Sequence, residues 1–227
     1  NFKYENFFSK NFFSIKKTCS LDLSLVNENF DPFKSRVKNK IRLSKKNLTA
    51  HISQEENDFT FFKEIYLNLM QLKSARDDYF FSKDYFVGLF KIITKEGFMV
   101  IVKDKNNNKL AAGVFLYGGQ RLNYHLSAFD KNYNYPGVMN LLIYHAALHA
   151  KKIDLKILHL GGGNSTDDND ALFKFKKSMS NTLHEFNLFG RIHDKKLYDM
   201  FKKKWRTNFP DLYDKYKDFF LSYHYKK

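Results

Sequence analysis

The sequence predicts an α/β fold in its mixed, α+β form: a mostly antiparallel sheet with helices on both of its faces. Three observations predict it. Two amphipathic helical patterns come first, three short apolar runs joined by hairpin turns follow, and a helix–strand–helix–strand succession then returns the chain to the sheet. With 43% hydrophobic residues, 227 residues hold enough apolar side chain to fill such a core.

The elements are read in order. Residues 1–20 mix Phe7, Phe8, Phe12 and Phe13 with Lys and Asn and show no period. Leu21, Leu23 and Leu25 then alternate with Asp22 and Ser24, a strand pattern. Residues 33–46 (FKSRVKNKIRLSKK) form a basic helix with Val37 and Ile41 on one face. Ile52 lies on a short strand, and residues 53–58 turn into a helix for which Asp58 is the expected N-cap. Phe59, Phe62, Ile65, Tyr66, Leu69 and Leu72 keep helical spacing, and so do Tyr85, Phe86, Leu89, Phe90 and Ile93. Strands over 98–102, 110–117 and 122–128 are joined by polar turns at 104–109 and 118–120. A helix over 137–150 buries Leu141, Leu142 and Ala146, and a strand over 155–160 breaks at Gly161, Gly162 and Gly163. A short helix over 171–178 precedes an extended run over 183–189. The tail, 195–225, reads as helices interrupted at Pro210.

Lys and Arg number 39 against 24 Asp and Glu, a net charge of +15, which favours a polyanionic partner: RNA, an anionic membrane surface or a phosphate-bearing substrate. The alternative is a cationic surface without a focus. The single cysteine, Cys19, rules out an intrachain disulfide and a cysteine-based zinc cluster, and suits a reducing, cytoplasmic setting. No apolar run approaches the roughly 20 residues of a membrane span, and no secretory signal is read. The first residue is Asn1, as in a piece of a longer chain.

Residues 159–177 (HLGGGNSTDDNDALFKFKK), with residues 63–90, 110–117 and 124–128 ahead of them, resemble the FemA/FemB/FemX-like branch of the GNAT acyltransferase superfamily. Residues 63–90 (KEIYLNLMQLKSARDDYFFSKDYFVGLF) look like its helix–loop–helix stretch with a Tyr-rich loop. Residues 110–117 (LAAGVFLY) and 124–128 look like its central hairpin. The sharpest match is 159–177 (HLGGGNSTDDNDALFKFKK): a glycine-rich strand end, a polar loop and an aromatic-basic helix. Residues 21–46 resemble the segment that ends the family's first lobe. The resemblance implies a first-lobe remnant over 1–57, an acyltransferase lobe over 58–195 and a helical tail over 196–227 packed on it. It departs from the family at Met179 and Ser180, where an aromatic and a glycine are usual, and upstream of Leu21, where most of the first lobe is missing. The glycine-rich turn that cradles the pyrophosphate of CoA in standard members is replaced by 130–138 (DKNYNYPGV), with Gly137 its only glycine. This tilts the expected donor from ordinary acetyl-CoA towards aminoacyl-tRNA or an unusual acyl donor.

What the resemblance implies chemically is direct attack of an amine on an activated carbonyl between two splayed strands, 122–128 and 155–160, with no enzyme nucleophile. Such a reaction needs a deprotonated amine, a positioned carbonyl and a stabilised oxyanion. Lys176, after Phe175, matches the family's Phe-Lys pair and is the expected oxyanion or donor-phosphate contact; otherwise it is a solvated lysine beside Lys174 and Lys177. Gly161, Gly162 and Gly163 allow close approach of substrate, or simply turn the chain. Asp167, Asp168 and Asp170 offer a general base, although Asp170 reads first as the N-cap of the helix that begins at Ala171. His125 and His159, one on each presumed splayed strand, are further bases, or core histidines. Arg76, Tyr79 and Tyr85 face the acceptor by resemblance, and Arg36, Lys40 and Arg42 on the basic helix offer contacts to tRNA phosphates. No metal-ligand spacing is present, and no tightly bound cofactor is expected. The reading is therefore an N-acyltransferase using aminoacyl-tRNA or acyl-CoA and a small-molecule or lipid-linked amine acceptor of the cell envelope. The other class to weigh is a non-catalytic RNA-binding module derived from a transferase lobe.

Overall fold

A computed structural model describes residues 12–133 and 135–225. Among these residues one sheet holds β1 (Phe12–Asp22), β2 (Leu48–Ser53), β3 (Gly97–Asp104), β4 (Lys109–Gly118), β5 (Arg121–Phe129), β6 (Ile157–Gly161) and β7 (Thr182–Phe189), in the order β2-β3-β4-β5-β6-β1-β7. The helices are α1 (Ser35–Lys45), α2 (Glu56–Leu72), α3 (Lys83–Glu96), α4 (Val138–Lys152), α5 (Ala171–Ser178), α6 (Lys195–Asn208) and α7 (Pro210–Tyr216). The expected fold class is the observed one. Neighbouring strands from β2 to β5 pair antiparallel, β5 pairs parallel with β6, and β1 pairs antiparallel with β6.

The chain divides into two compact units, one of them Lys16–Glu185; residues from Phe186 onward belong to the other. In the larger unit the sheet separates two cores. Phe59, Phe62, Tyr66 and Leu69 of α2 and Phe86, Leu89 and Ile93 of α3 cover Met99, Ile101, Ala112 and Val114 on one face. Val37 and Ile41 of α1, with Leu141, Leu142 and Ala146 of α4, cover Val100, Val102, Phe115 and Leu122 on the other. β3 is buried along nearly its whole length because both of its faces are covered. In the smaller unit Trp205 is buried, its indole N–H donating to Tyr225 O at 2.7 Å, and Pro210 opens α7.

Three local readings change. The alternation at 21–25 marks the end of a strand that begins at Phe12; after Asp22 the chain tightens into a 3₁₀ turn over Leu23–Leu25, with the Asp22 carboxylate accepting from Ser24 N at 2.9 Å. α2 starts at Glu56, so Asp58 lies within its first turn instead of capping it, and its carboxylate meets Lys109 Nζ at 2.7 Å. The strand expected over 155–160 begins at Ile157.

Candidate active site

The site is built where two parallel strands stop pairing. β5 and β6 are joined from Arg121–Ile157 to Asn123–His159 and no further, although β5 continues to Phe129 and β6 to Gly161. Two features part them. A bulge places His125 as an extra residue of β5, because Phe115 faces Tyr124 while Val114 faces Leu126. β6 meanwhile leans on β1, pairing His159 with Ser20 and Gly161 with Cys19. Beyond Asn123, the edge of β5 that faces away from β4 has no partner strand among the described residues.

The glycines at the end of β6 are required by geometry. Gly161 has φ +74°, a backbone state that strains a residue with a Cβ. At Gly163 a Cβ would lie 2.4 Å from Asp170 Oδ1. That carboxylate caps α5, accepting from Phe173 N at 2.8 Å. The bond to Phe173 N, with further main-chain donors at Asn164 and Ser165, holds Asp170 below the usual carboxylate range, whereas a general base must release such donors to take a proton. The geometry thus makes Asp170 a helix cap. Asp170→Asn is expected to keep both fold and transfer rate, while Asp170→Ala lowers stability by about 1 kcal/mol; urea unfolding and rate assays on both variants check this. A rate lost in the asparagine variant would restore Asp170 as the base.

α5 buries Phe173, packs Phe175 partly against the core, and leaves Lys174 and Lys177 exposed. Lys176 lies on the inner side. Its ammonium donates to Gly162 O at 2.9 Å and stands 5.7 Å from the centre of the Tyr124 ring. Burial pushes its pKa down to about 8. Tyr124 is fixed by a hydrogen bond between its hydroxyl and that of Ser127 and by stacking on Phe115 at 5.2 Å; burial pushes its hydroxyl up to about 12, so it stays protonated. β1 holds the polar loop after Gly163: Lys16 Nζ donates to Gly163 O at 3.1 Å and Lys17 pairs with Asp168 at 2.8 Å. Asp168 is thus engaged as well.

The opposite face of the same strands carries Arg121, Asn123 and His125 of β5 and His159 of β6, by alternation with the buried Leu122, Leu158 and Leu160. Tyr85 reaches His125 from α3, its hydroxyl 2.6 Å from Nε2. Phe81 stacks on Tyr85 at 4.1 Å and orients it. Burial, then the neighbouring Arg121, His184 and Lys176 side chains, hold His159 below its ordinary pKa. Tyr79 is anchored through its carbonyl, which accepts from Tyr66 Oη at 3.0 Å, and Arg76 stays exposed and pairs with Asp78. Arg36, Lys40 and Arg42 line the exposed side of α1, whose other side buries Val37 and Ile41. Gly137, with φ +88°, packs against α1, where a Cβ would meet Ser44 Oγ at 2.7 Å. Of the residues singled out from sequence, the structure joins Lys176 to Gly162 and Tyr85 to His125. Tyr124, Ser127 and Lys16 were missed; alternation along β5 places Tyr124 on the Lys176 face, but the bulge that sets the phase leaves no local signal.

The acetyltransferase (GNAT) domain family matches residues 33–177, more than half of the chain. The chain belongs to the GNAT family. The matched span holds β5 and β6 with the end of their pairing, the bulge, the glycine run and Lys176. No curated protein matches this GNAT chain significantly. Among solved structures it is similar to FemX, with a TM-score of 0.63 and 16% identity over 81% of this chain and 63% of that one. It is also similar to L-PGS from Bacillus licheniformis, with a TM-score of 0.59 and 13% identity over 86% and 65%. The GNAT chain thus spans less than two thirds of either structure, and at these identities the likeness is one of fold. Among the described residues no helix is long and apolar enough to cross a membrane, and no group of three His, Cys, Asp or Glu side chains is placed to hold a metal ion.

Proposed function

We propose that the chain is an N-acyltransferase of the FemA/FemB/FemX-like branch. It moves an acyl or aminoacyl group from an aminoacyl-tRNA or acyl thioester onto an amine of a cell-envelope precursor, a peptidoglycan stem peptide or a nucleotide-linked amino sugar. The observation that carries this reading is Lys176: a half-buried ammonium with its Nζ 2.9 Å from Gly162 O, at the gap between β5 and β6. A carbonyl entering the gap meets main-chain groups of β5 that lack a strand partner among the described residues, and a cation held in surroundings of low dielectric. Charge that develops on oxygen there is stabilised more than it is in water. The substrates react directly, so positioning supplies much of the acceleration. The similarity to FemX and L-PGS supports the reading at the level of fold.

The test is transfer of radiolabel from acetyl-CoA or alanyl-tRNA to a UDP-linked muramoyl pentapeptide or to UDP-glucosamine, with products identified by mass. Acylated product from one of these pairs supports the proposal. No product from any pair removes it, and tight RNA binding indifferent to Lys176 would then mark a binding module.

If tRNA is the donor, the exposed face of α1 carries part of its phosphate backbone. Replacing Arg36, Lys40 and Arg42 together by Gln is expected to weaken tRNA binding and to lower the slope of log affinity against log salt by about 2–3. Filter binding between 50 and 200 mM salt (roughly the range over which such contacts are lost) reads the slope. An unchanged slope places the tRNA elsewhere.

A further inference from the structure

We infer that His125, held by Tyr85 on the sheet face opposite Lys176, is the base that deprotonates the acceptor amine, so that donor and acceptor meet at the strand gap from opposite faces. The inference rests on the transferase reading and adds a residue and a direction of approach to it. Four observations carry it. His125 is the bulged residue of β5, and a bulge re-aims a side chain out of the regular ladder. It lies two residues beyond Asn123, the last residue paired with β6, and so borders the gap. Its side chain keeps one edge open to solvent and is packed and fixed on the other, Nε2 lying 2.6 Å from Tyr85 Oη. Tyr85 in turn stacks on Phe81 and packs edge-on against Phe86 at 5.6 Å, so the hydroxyl that orients the imidazole does not wander.

Lys176 is placed to act on the other side. Its partner Tyr124 packs with Phe115 into the core under α1 and α4, while Tyr85 and Leu126 belong to the core under α2 and α3. A cation for the oxyanion and a base for the amine thus flank one gap without neutralising each other. The titratable group in contact with His125 is Tyr85 on α3, with Tyr66 and Tyr79 behind it, and the same face of the sheet carries Arg121 on β5 and His159 on β6. Burial lowers the pKa of His125, and burial raises that of Tyr85. At neutral pH the imidazole is therefore neutral and able to accept, beside a protonated phenol.

The step balances as follows. With Nε2–H donating to Tyr85 Oη, the Nδ1 lone pair faces the incoming ammonium and takes one proton. The amine lone pair forms the C–N bond and the carbonyl π pair moves to oxygen. As that pair returns, the C–O bond of an ester donor, or the C–S bond of a thioester, breaks with its electrons on the leaving atom. The second proton of the new C–N nitrogen passes to that atom, and His125 later returns its proton to water. Tyr85 is a positioning residue in this scheme.

The experiment measures kcat against pH for wild type, His125→Ala, Tyr85→Phe and His159→Ala, using the donor–acceptor pair turned over in the transfer assay. ¹⁵N-histidine NMR follows the fold and the His125 titration. The wild-type rate is expected to rise with pH along a limb with its midpoint below 6.5, and to fall again as Lys176 loses its proton around pH 8. His125→Ala is expected to lose that limb and about 100-fold in kcat, with the donor KM unchanged. Tyr85→Phe is expected to shift the limb and the NMR midpoint together. Retention of rate and limb in His125→Ala, or transfer of both effects to His159→Ala, overturns the inference while leaving the transferase reading standing. Absence of any turnover by wild type overturns both.

Discussion

Replacing Lys176 by methionine is expected to slow acyl transfer about 10²–10³-fold and, at neutral pH, to make the protein more stable. The rate loss follows from removing the cation at the gap, and kcat is to fall with little change in the acceptor KM, because the interaction develops with charge in the transition state. The stability gain follows from linkage. The pKa of Lys176 falls from 10.5 to about 8 on folding, so below pH 8 both states hold the proton and the folded one carries the full burden of a half-buried ammonium. Between pH 8 and 10.5 the folded state sheds its proton while the unfolded state keeps it, so wild-type stability rises with pH. Above 10.5 both are neutral. The methionine variant is therefore expected to exceed wild type by at most about 3 kcal/mol below pH 8, and the gap is to close as pH approaches 10.5. Urea unfolding of both proteins at pH 7 and pH 10 reads it. Equal stability at pH 7 with full activity would show that Lys176 is an ordinary surface lysine.

Phe115→Ala is expected to lower stability by about 3–5 kcal/mol and to reduce the transfer rate as well. Phe115 is fully buried, stacked between Phe98 at 5.6 Å and Tyr124 at 5.2 Å. Deleting the ring opens a void beneath Tyr124, and Tyr124 is the floor under the Lys176 ammonium. Phe115→Leu keeps most of the volume and is expected to cost under about 1.5 kcal/mol, so the pair separates the effect of fold from that of the floor. Thermal melts give the first quantity and kcat at 25 °C the second. A folded alanine variant with an undiminished kcat would uncouple Tyr124 from the reaction.

The parts of this fold that repeat locally are readable from the chain. Phe59, Phe62, Ile65, Tyr66 and Leu69 announce α2 because each turn buries one side, and the apolar runs on either side of the polar 104–109 turn announce the hairpin of β3 and β4. β1 is announced only at its end, by Leu21 and Asp22. Its buried stretch Thr18–Cys19–Ser20 carries polar side chains on one face, and its neighbours β6 and β7 lie far along the sequence, so neither periodicity nor turns reveal the rest. Asp58 reads as a cap because an acidic residue before an apolar run is the usual signal, but Glu55 takes the position and Lys109, a residue of β4, takes Asp58. Within the site, Lys176 was legible through resemblance to a Phe-Lys pair, whereas its burial depends on Gly162, Tyr124 and α5 coming together. The Tyr85–His125 bond spans 40 residues and a bulge, and no spacing in the chain encodes it.

The strand that latches the loop after Gly163 is also the one a ribosome makes long before that loop exists. Lys16 and Lys17 precede their partners Gly163 and Asp168 by 147 and 151 residues. At about 5–20 residues per second, roughly 7–30 s of translation separate the two halves of the latch. A nascent chain can complete its early hairpins in that time, yet β1 must wait, its main-chain groups turned to water or a chaperone, until β6 emerges to receive it. Slowing elongation, or raising the demand on chaperones, would therefore be felt first in the yield of active protein.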